Sequence, residues 1–324
     1  MVYFDVFNGD ADGMCALHQL RLVEPRDTAT LVTGVKRDID LLARVPCVPG
    51  ARVTVLDVSL ARNRDALMRL LEGGVQVEYF DHHGAGDVPR HPGLQSHIAS
   101  EADVCTSMLV DRHVGARHRS WAVVGAFGDN MDAAARQLAG LLDLKPAQVE
   151  ALRELGDCLN YNAYGTSVAD LFMPPEQLYR RMHLYRDPWR FIAEEPVLAT
   201  IRDGRAQDLE LARQTRPYAR CSAGVVYLLP DAPWSRRVRG AWGNLLAQES
   251  PGLAHALLTP DGEGAYVVSV RAPLRDLRDA DRLCTAFPPG GGRPAAAGID
   301  QLPPDRLVDF VSAFEQMFGK GAVV

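Results

Sequence analysis

The sequence predicts an α/β protein with an N-terminal domain built on a parallel sheet, with helices on both faces, and a smaller C-terminal α/β domain. Three observations support this fold class. Strand-like and helix-like segments alternate through the first third of the chain, the order typical of a parallel sheet. A mostly helical stretch follows at 104–192, and strands return after residue 220. The 324 residues are enough for two domains.

The individual elements follow from the patterns of apolar residues. In the first domain, strands are predicted at 2–7, 30–34, 51–60 and 75–84, and helices at 13–24, 38–45 and 61–74. The next helices are predicted at 104–115, 132–144, 146–159 and 174–185. In the second domain, strands are predicted at 222–229, 254–260 and 265–273, and helices at 236–249 and 303–318. We therefore predict a first domain at 1–200, a polar helical linker at 201–220 and a second domain at 221–324.

Composition limits the partners. The net charge is −6 and the pI about 5.9, whereas proteins that hold long nucleic acid by its backbone usually carry a basic face. We expect a small or short anionic ligand, and neither long duplex nucleic acid nor a membrane. The six cysteines are scattered without a C-x-x-C pair, which indicates reduced thiols and a cytoplasmic location. Whether the protein forms a homodimer stays open.

Acidic and histidine side chains recur where strands are expected to end, including the apolar run before Asp129. They are Asp10 and Asp12 in FNGDADG, Asp57 in VTVLDVSL, Asp81, His82 and His83 in VEYFDHHGAG, and Asp129 in WAVVGAFGDN. One such aspartate is usually a turn residue or a helix cap. Four segments of this kind predict a shared site, because ligands collect at the carboxyl ends of parallel strands. Mixed Asp and His ligands suit Mn²⁺, Zn²⁺ or Fe²⁺ better than Ca²⁺.

The segments FNGDADG, VLDVS, FDHHGAG and AFGDN resemble, in this order, the four motifs of the DHH phosphoesterases, a family named for the triplet present here as Asp81-His82-His83. VVSVRAP followed by PPGGGRPAAAGI resembles the C-terminal domain that often accompanies the catalytic one, whose glycine motif reads G-G-G-H-x-x-A-A-G. The two resemblances cover nearly the whole chain. In size the chain resembles the nano-RNase, oligoribonuclease-like branch more than the longer RecJ-type exonucleases.

The resemblance implies a role for each residue of the motifs. One metal ion would be held by Asp10 and Asp57, and a second by Asp12, Asp57, His82 and Asp129. His82, His83 and Asp57 would act directly in catalysis, with His83 beside the scissile phosphate. Asp81 would orient the histidines. Arg271, the loop Gly290, Gly291 and Gly292, and Arg293 would bind a terminal phosphate or nucleotide end.

Two positions depart from the family pattern. Asn8 stands near the place where relatives commonly have a histidine before the first aspartates, so it would be a weaker metal ligand. Arg293 stands where the glycine motif usually has histidine; arginine binds phosphate but cannot act as an acid or base at neutral pH. The expected cofactors are two divalent ions, foremost Mn²⁺, with Mg²⁺ or Co²⁺ as alternatives.

Two further features lie outside the motifs. CLNYNAYG at 158–165 could form a polar aromatic wall near the site, but a capped helix end is the preferred interpretation. His91, His97, His113 and His118 receive no role.

The expected function is metal-dependent hydrolysis, in the cleft between the domains, of short oligonucleotides, linear dinucleotides or nucleotide bisphosphates. A phosphomonoesterase acting on a small metabolite is one alternative. A nucleotide-binding sensor without turnover is another, and the replacements at Asn8 and Arg293 favour it.

Overall fold

The computed structural model describes residues 1–99 and 101–319. They divide into two compact units, Met1–Asp203 and Gly204–Val324. The predicted second domain ends with residues 320–324, which lie outside the described residues. Within the described part of the chain no disulfide forms among the cysteines, and no helix combines the length and the apolar character needed to cross a bilayer.

A five-stranded parallel sheet forms the centre of the first unit. Its strands, in chain order, are β1 (Tyr3–Phe7), β2 (Thr30–Val32), β3 (Arg52–Leu56), β4 (Gln76–Asp81) and β5 (Leu94–Ile98). They lie in the order β2-β1-β3-β4-β5, and every neighbouring pair is parallel. The carboxyl ends of β1, β3 and β4 are therefore adjacent, and the first three motifs begin there.

Helices cover both faces of this sheet, as predicted. The helices of the first unit are α1 (Ala11–Val23), α2 (Arg64–Glu72), α3 (Thr106–His113), α4 (Arg119–Gly128), α5 (Asp132–Ala139), α6 (Pro146–Asn162), α7 (Pro175–Met182) and α8 (Pro188–Glu194). The chain passes from the first unit to the second within α9 (Pro196–Arg213). On one face, Phe4 and Val6 pack with Leu67 of α2 in an apolar core. On the other, Asp5 forms a buried ion pair with Arg21 of α1, with 2.6 Å between the Asp5 carboxylate and the Arg21 guanidinium.

In the first unit, three elements differ from the sequence-based expectation. Asp129 was expected to follow a strand, but residues 119–128 form helix α4. Trp121–Gly128 are all buried, so the run is apolar on every side and lacks the periodicity that separates a helix from a strand. The segment 38–45 forms only a short 3-10 turn at Leu41–Arg44. The edge strand β5 was not predicted, because LQSHI is half polar.

The second unit contains a six-stranded mixed sheet. Its strands are β6 (Ala219–Cys221), β7 (Gly224–Leu228), β8 (Ala254–Pro260), β9 (Tyr266–Arg271), β10 (Gly290–Arg293) and β11 (Ala296–Leu302), arranged as β10-β11-β9-β8-β7-β6. Only β7 and β8 are parallel. The helices are α10 (Pro233–Glu249), α11 (Ala280–Thr285) and α12 (Leu307–Phe318), and α12 packs Phe310 and Phe314 into the core against the sheet.

Candidate metal centre

The first motif turns the chain from strand β1 into helix α1. Asp10 is the N-cap of this helix, and its Oδ1 accepts hydrogen bonds of 3.1 Å from the backbone N–H groups of Asp12 and Gly13. A Cβ atom at Gly13 would lie 2.3 Å from the carbonyl oxygen of Asn8, so only glycine fits there. The two aspartates are thus held at the start of a buried helix, next to the carboxyl end of the sheet.

Asp12 is fully buried and is held by a second helix. Its two carboxylate oxygens accept hydrogen bonds of 2.8 Å from the backbone N–H groups of Thr106 and Ser107, at the start of α3. Backbone donors at a helix N-terminus stabilise a negative charge. Each oxygen keeps a further lone pair for a cation.

Asp57 follows β3 in an unusual backbone conformation. Its φ is +58°, in the left-handed region that residues other than glycine rarely adopt, and strain of this kind concentrates at functional sites. The Thr106 hydroxyl donates to its carboxylate at 3.3 Å. Burial, and then the neighbouring Asp10, Asp12 and Asp129, raise the pKa of Asp57 well above its usual range. A carboxylate so placed is stabilised by a bound cation.

The Asp81-His82-His83 triplet begins at the last residue of β4. Asp81 is buried and accepts hydrogen bonds from the backbone N–H groups of Leu60 and His83, at 3.1 and 3.2 Å. Its Oδ1 lies 2.7 Å from His83 Nδ1, and this hydrogen bond raises the pKa of His83. Asp81 thus fixes the ring of His83, which is the orienting contact that the family resemblance implied for one of the two histidines.

His82 faces two carboxylates. Its Nε2 lies 3.4 Å from Asp57 Oδ1 and 3.6 Å from Asp129 Oδ2. Possible ligand atoms of Asp12, His82 and Asp129 lie within 4.8 Å of one another, and so do those of Asp57, His82 and His83. Buried carboxylates and an imidazole at this spacing fit a transition-metal ion such as Mn²⁺ or Zn²⁺.

Asp129 is placed by helix α4 rather than by a strand. It caps the C-terminus of this helix, which packs against α1 and α6. Burial and then the charge of Asp12 raise the pKa of Asp129 to about 6. All the motif residues of the first unit therefore come together.

Lys36, which the sequence analysis missed, lies among these carboxylates. Its Nζ is 2.6 Å from Asp10 Oδ2, 3.0 Å from Asn160 Oδ1 and 3.5 Å from Asp129 Oδ1. Burial would lower the pKa of Lys36, but Asp10 and other nearby groups raise it well above its usual range. In turn, burial alone would raise the pKa of Asp10, but the charge of Lys36 holds this pKa below its ordinary value. The sequence contained one indication of this role, because Lys36 follows the predicted strand 30–34 just as the motif aspartates follow their predicted strands.

Two other side chains are placed differently from expectation. The carboxamide oxygen of Asn8 accepts a hydrogen bond from the backbone N–H of Asp10 at 3.2 Å, and its nitrogen donates to the carbonyl of Lys36 at 3.4 Å. Asn8 thus ties two segments of the site together. Asn160 lies in the last turn of α6, so the segment 158–165 contains a helix end, as the preferred interpretation had it. Asn160 also contacts Lys36 and therefore belongs to the site.

A cavity of about 350 Å³ opens over the cluster. Six of the residues that line it are Asn8, Asp10, Lys36, Asp57, His83 and Asp129. The exposed Arg62 also lines the cavity and was not predicted. Two basic groups in a cavity rich in carboxylates suit an anionic ligand bound together with a cation.

The predicted phosphate-binding residues lie in the second unit. Gly290–Arg293 form strand β10 rather than a loop, paired with β11. Arg293 and Arg271 both lie opposite Ala296 in the register, so their side chains share one face of the sheet. The Arg271 Nε donates to Asn244 Oδ1 at 2.8 Å. A Cβ at Gly292 would lie 2.5 Å from Ala297, whereas a Cβ at Gly291 would meet nothing within 4 Å.

No protein-family model and no curated protein sequence matches the chain. Solved structures do. The crystal structure of the exonuclease RecJ bound to manganese is similar, with a TM-score of 0.64 and 18% identity, covering 98% of this chain and 90% of that one. The structure of RecJ from Thermus thermophilus in complex with Mn²⁺ is also similar, with a TM-score of 0.66 and 17% identity. This similarity covers 97% of this chain and 51% of that one.

A third similar structure is PggH, a pGpG-specific phosphodiesterase from Vibrio cholerae, with a TM-score of 0.51 and 13% identity, covering 98% of this chain and 99% of that one. The chain spans about half the length of the Thermus protein. At these identities the likeness shows the fold. The shared fold is a parallel α/β domain followed by a second α/β domain, the fold class predicted from the sequence.

Proposed function

We propose that this protein is a metal-dependent phosphoesterase that hydrolyses short oligonucleotides, linear dinucleotides or nucleotide bisphosphates. One observation carries the proposal: Asp10, Asp57, Asp129, His83, Lys36 and Arg62 line a single cavity. Asp12 and His82 lie beside the same carboxylates. The similar structures support the substrate class, since RecJ is an exonuclease and PggH acts on pGpG.

The residues that would hold a divalent ion are Asp12, Asp57, His82 and Asp129. RecJ structures with Mn²⁺ and with Mg²⁺ support an ion of this class. When bound, the ion supplies Lewis-acid stabilisation of the charge that develops on the phosphate oxygens. The second ion implied by the family resemblance remains a prediction, and the position of Lys36 bears on it.

His83 is suited to hold a proton for the leaving group. Its Nδ1 is engaged by Asp81 at 2.7 Å, so Nε2 is the atom left to face a substrate. The hydrogen bond with Asp81 raises the pKa of His83, which favours the protonated form that a general acid needs. Arg62 would attract the anionic substrate, and Arg271 and Arg293 in the second unit would bind one of its phosphates.

The test is hydrolysis, with Mn²⁺, of a labelled dinucleotide, a five-residue RNA, a five-residue DNA and a nucleotide bisphosphate. Release of mononucleotides by the wild type, reduced at least ~100-fold in Asp57→Asn, is the expected result. Asp65→Asn, on α2, is the matched control and should retain full activity. Phosphate release from the bisphosphate alone would remove oligonucleotides and dinucleotides from the proposed substrates and would indicate a phosphomonoesterase. Nucleotide binding without turnover of any substrate would indicate the sensor.

A further inference from the structure

We infer that Lys36 takes the place of one of the two metal ions, so that the centre holds a single divalent ion beside a fixed ammonium group. The inference rests on the proposed function. It starts from the contacts of the Lys36 ammonium, which lies 2.6 Å from Asp10 and 3.5 Å from Asp129. The family resemblance assigns these two aspartates to different ions.

An ammonium and a divalent ion cannot both bind the same oxygen of Asp10 without strong repulsion. An ion at a typical ligand distance of about 2.1 Å from that oxygen would lie within roughly 4 Å of the ammonium nitrogen. Asn160 Oδ1 accepts another hydrogen bond from the ammonium at 3.0 Å. Lys36 is thus held by partners on more than one side.

The neighbouring residues also disfavour an ion beside Asp10. Asn8 is uncharged, and its carboxamide oxygen is already bonded to the backbone N–H of Asp10. By contrast, His82 faces Asp57 Oδ1 and Asp129 Oδ2 at 3.4 and 3.6 Å, whereas Lys36 contacts the other oxygen of Asp129. The ligands for one ion are therefore intact, whereas Asp10, a ligand implied for the other ion, is taken by Lys36.

The experiment measures bound manganese in the full chain by elemental analysis and electron paramagnetic resonance. We expect one Mn²⁺ per chain and the six-line spectrum of an isolated ion in the wild type. Lys36→Met frees Asp10 and Asp129, so this variant should bind a second ion and show an exchange-coupled spectrum. Lys145→Met, a change at an exposed lysine of the same unit, should behave as the wild type.

Two coupled ions in an active wild type would overturn the inference and leave the proposed function intact. The inference also fails if folded Lys36→Met, checked by circular dichroism, still binds one ion. A wild type that binds no Mn²⁺ and hydrolyses no phosphoester would overturn the proposed function as well.

A different observation points to a second metal site. We propose that Glu78, His97 and His113 bind a zinc-type ion, away from the centre described above. Possible ligand atoms of the three residues lie within 4.8 Å of one another. His97 Nε2 and His113 Nε2 lie 3.5 and 3.8 Å from Glu78 Oε1. Ligands of a tetrahedral zinc ion stand about 3.4 Å apart, so small movements would complete the site.

The backbone presents these residues together. Glu78 lies on β4, His97 on the neighbouring β5, and His113 at the end of α3. The ring of His97 stacks on Phe80 at 4.3 Å, and the ring of His113 meets the same phenyl ring edge-on. Phe80 thus orients both imidazoles toward Glu78. The three side chains are 21–28% exposed, so an ion and a solvent ligand can enter.

Such an ion would stabilise elements that build the main centre. Strand β4 ends in Asp81, three residues after Glu78, and the opposite end of α3 donates to Asp12. The proposed ion is therefore structural, with two protein elements leading from it to the carboxylate cluster.

The experiment compares zinc content after dialysis, and the effect of Zn²⁺ on the melting temperature, for wild type, His113→Gln and the matched control His91→Gln. We expect the wild type and His91→Gln each to bind one Zn²⁺ more than His113→Gln. The rise in melting temperature due to this additional ion should appear in these two proteins and be absent from His113→Gln. Equal zinc content and equal stabilisation in all three proteins would overturn the site.

Discussion

A buried carboxylate needs a hydrogen-bond donor or a cation beside it, and the aspartates of the centre differ in which of these they have. Asp12 has the backbone N–H groups of α3, Asp81 has backbone N–H groups and His83, and Asp10 has Lys36. Asp57 accepts a hydrogen bond from the neutral Thr106 hydroxyl, and burial together with the neighbouring carboxylates raises its pKa. It therefore depends most on an added cation.

A buried histidine outside the centre gives a prediction about pH. His18 is fully buried against Trp121, and burial, with the charge of His183, lowers its pKa to about 3. Below its ordinary value of 6.5 the unfolded chain binds a proton that the folded chain does not bind until about pH 3. Stability should therefore fall as the pH drops from 6.5 toward 3, by about 2 kcal/mol at pH 5 from this group.

Denaturant unfolding at pH 7 and pH 5 measures this effect. His18→Gln cannot be protonated, so its free energy of unfolding should change less between the two pH values than that of the wild type. His91→Gln is the control and should keep the wild-type difference. An unchanged pH dependence in His18→Gln would contradict the assignment.

At the scale of elements, close helix contacts hold the centre in place. Helix α4, which carries Asp129, packs against α6 through Gly156. A Cβ there would lie 2.4 Å from the Val124 carbonyl oxygen and 2.9 Å from the Gly128 nitrogen. These backbone atoms cannot move aside as a flexible side chain can, so only glycine packs at position 156 without a clash.

Gly156→Ala should therefore lower the free energy of unfolding, by about 1–3 kcal/mol as for other overpacked sites. Gly240→Ala is the matched change inside helix α10, where a Cβ meets nothing within 4 Å. It should be neutral or stabilising by up to about 1 kcal/mol, because alanine favours the helix. Thermal unfolding of both variants measures the contrast. Similar losses in the two would contradict the packing argument.

Strand β10 provides a test of phosphate binding. Gly291 has room for a side chain and is not needed for packing, so Gly291→Ala should fold normally. If backbone N–H groups of this strand approach a phosphate, Gly291→Ala and Arg293→Ala should each raise KM by about 10-fold with little change in kcat. Arg282→Ala, on α11, is the control. Unchanged KM values would remove strand β10 from the substrate site.

Sequence patterns predicted the parallel sheet, and they placed the Asp81-His82-His83 triplet at the end of a strand. They could do so because strands buried on both faces appear in the sequence as apolar runs followed by polar residues. The same rule failed at α4, since a helix buried all round gives the same apolar run. Lys36 follows the predicted strand 30–34 and Arg62 lies at the start of the predicted helix 61–74, but neither pattern marks a residue of the site, so only the fold shows that both reach the cavity. Arg271 and Arg293 were selected from the sequence, but their shared face depends on the register of β9, β10 and β11.

At the scale of the whole molecule, the net charge of −6 and the carboxylate cluster add the same sign of charge. The proposed divalent ion would relieve the local repulsion and would bind the folded chain in preference to the unfolded one. The melting temperature should therefore rise with Mn²⁺, corresponding to about 2.7 kcal/mol at a concentration 100 times Kd. Chelation should reverse the rise, and Asp57→Asn should reduce it. No response in the wild type would argue against a metal centre.

The left-handed backbone at Asp57 has a consequence for engineering. With the metal removed, this residue adds strain and crowded negative charge, so Asp57→Gly should make the apo protein more heat-resistant than the wild type. The same change would remove a ligand of the proposed metal ion. A selection for thermostability carried out in a chelating buffer would therefore enrich inactive proteins, whereas one with Mn²⁺ present would retain Asp57.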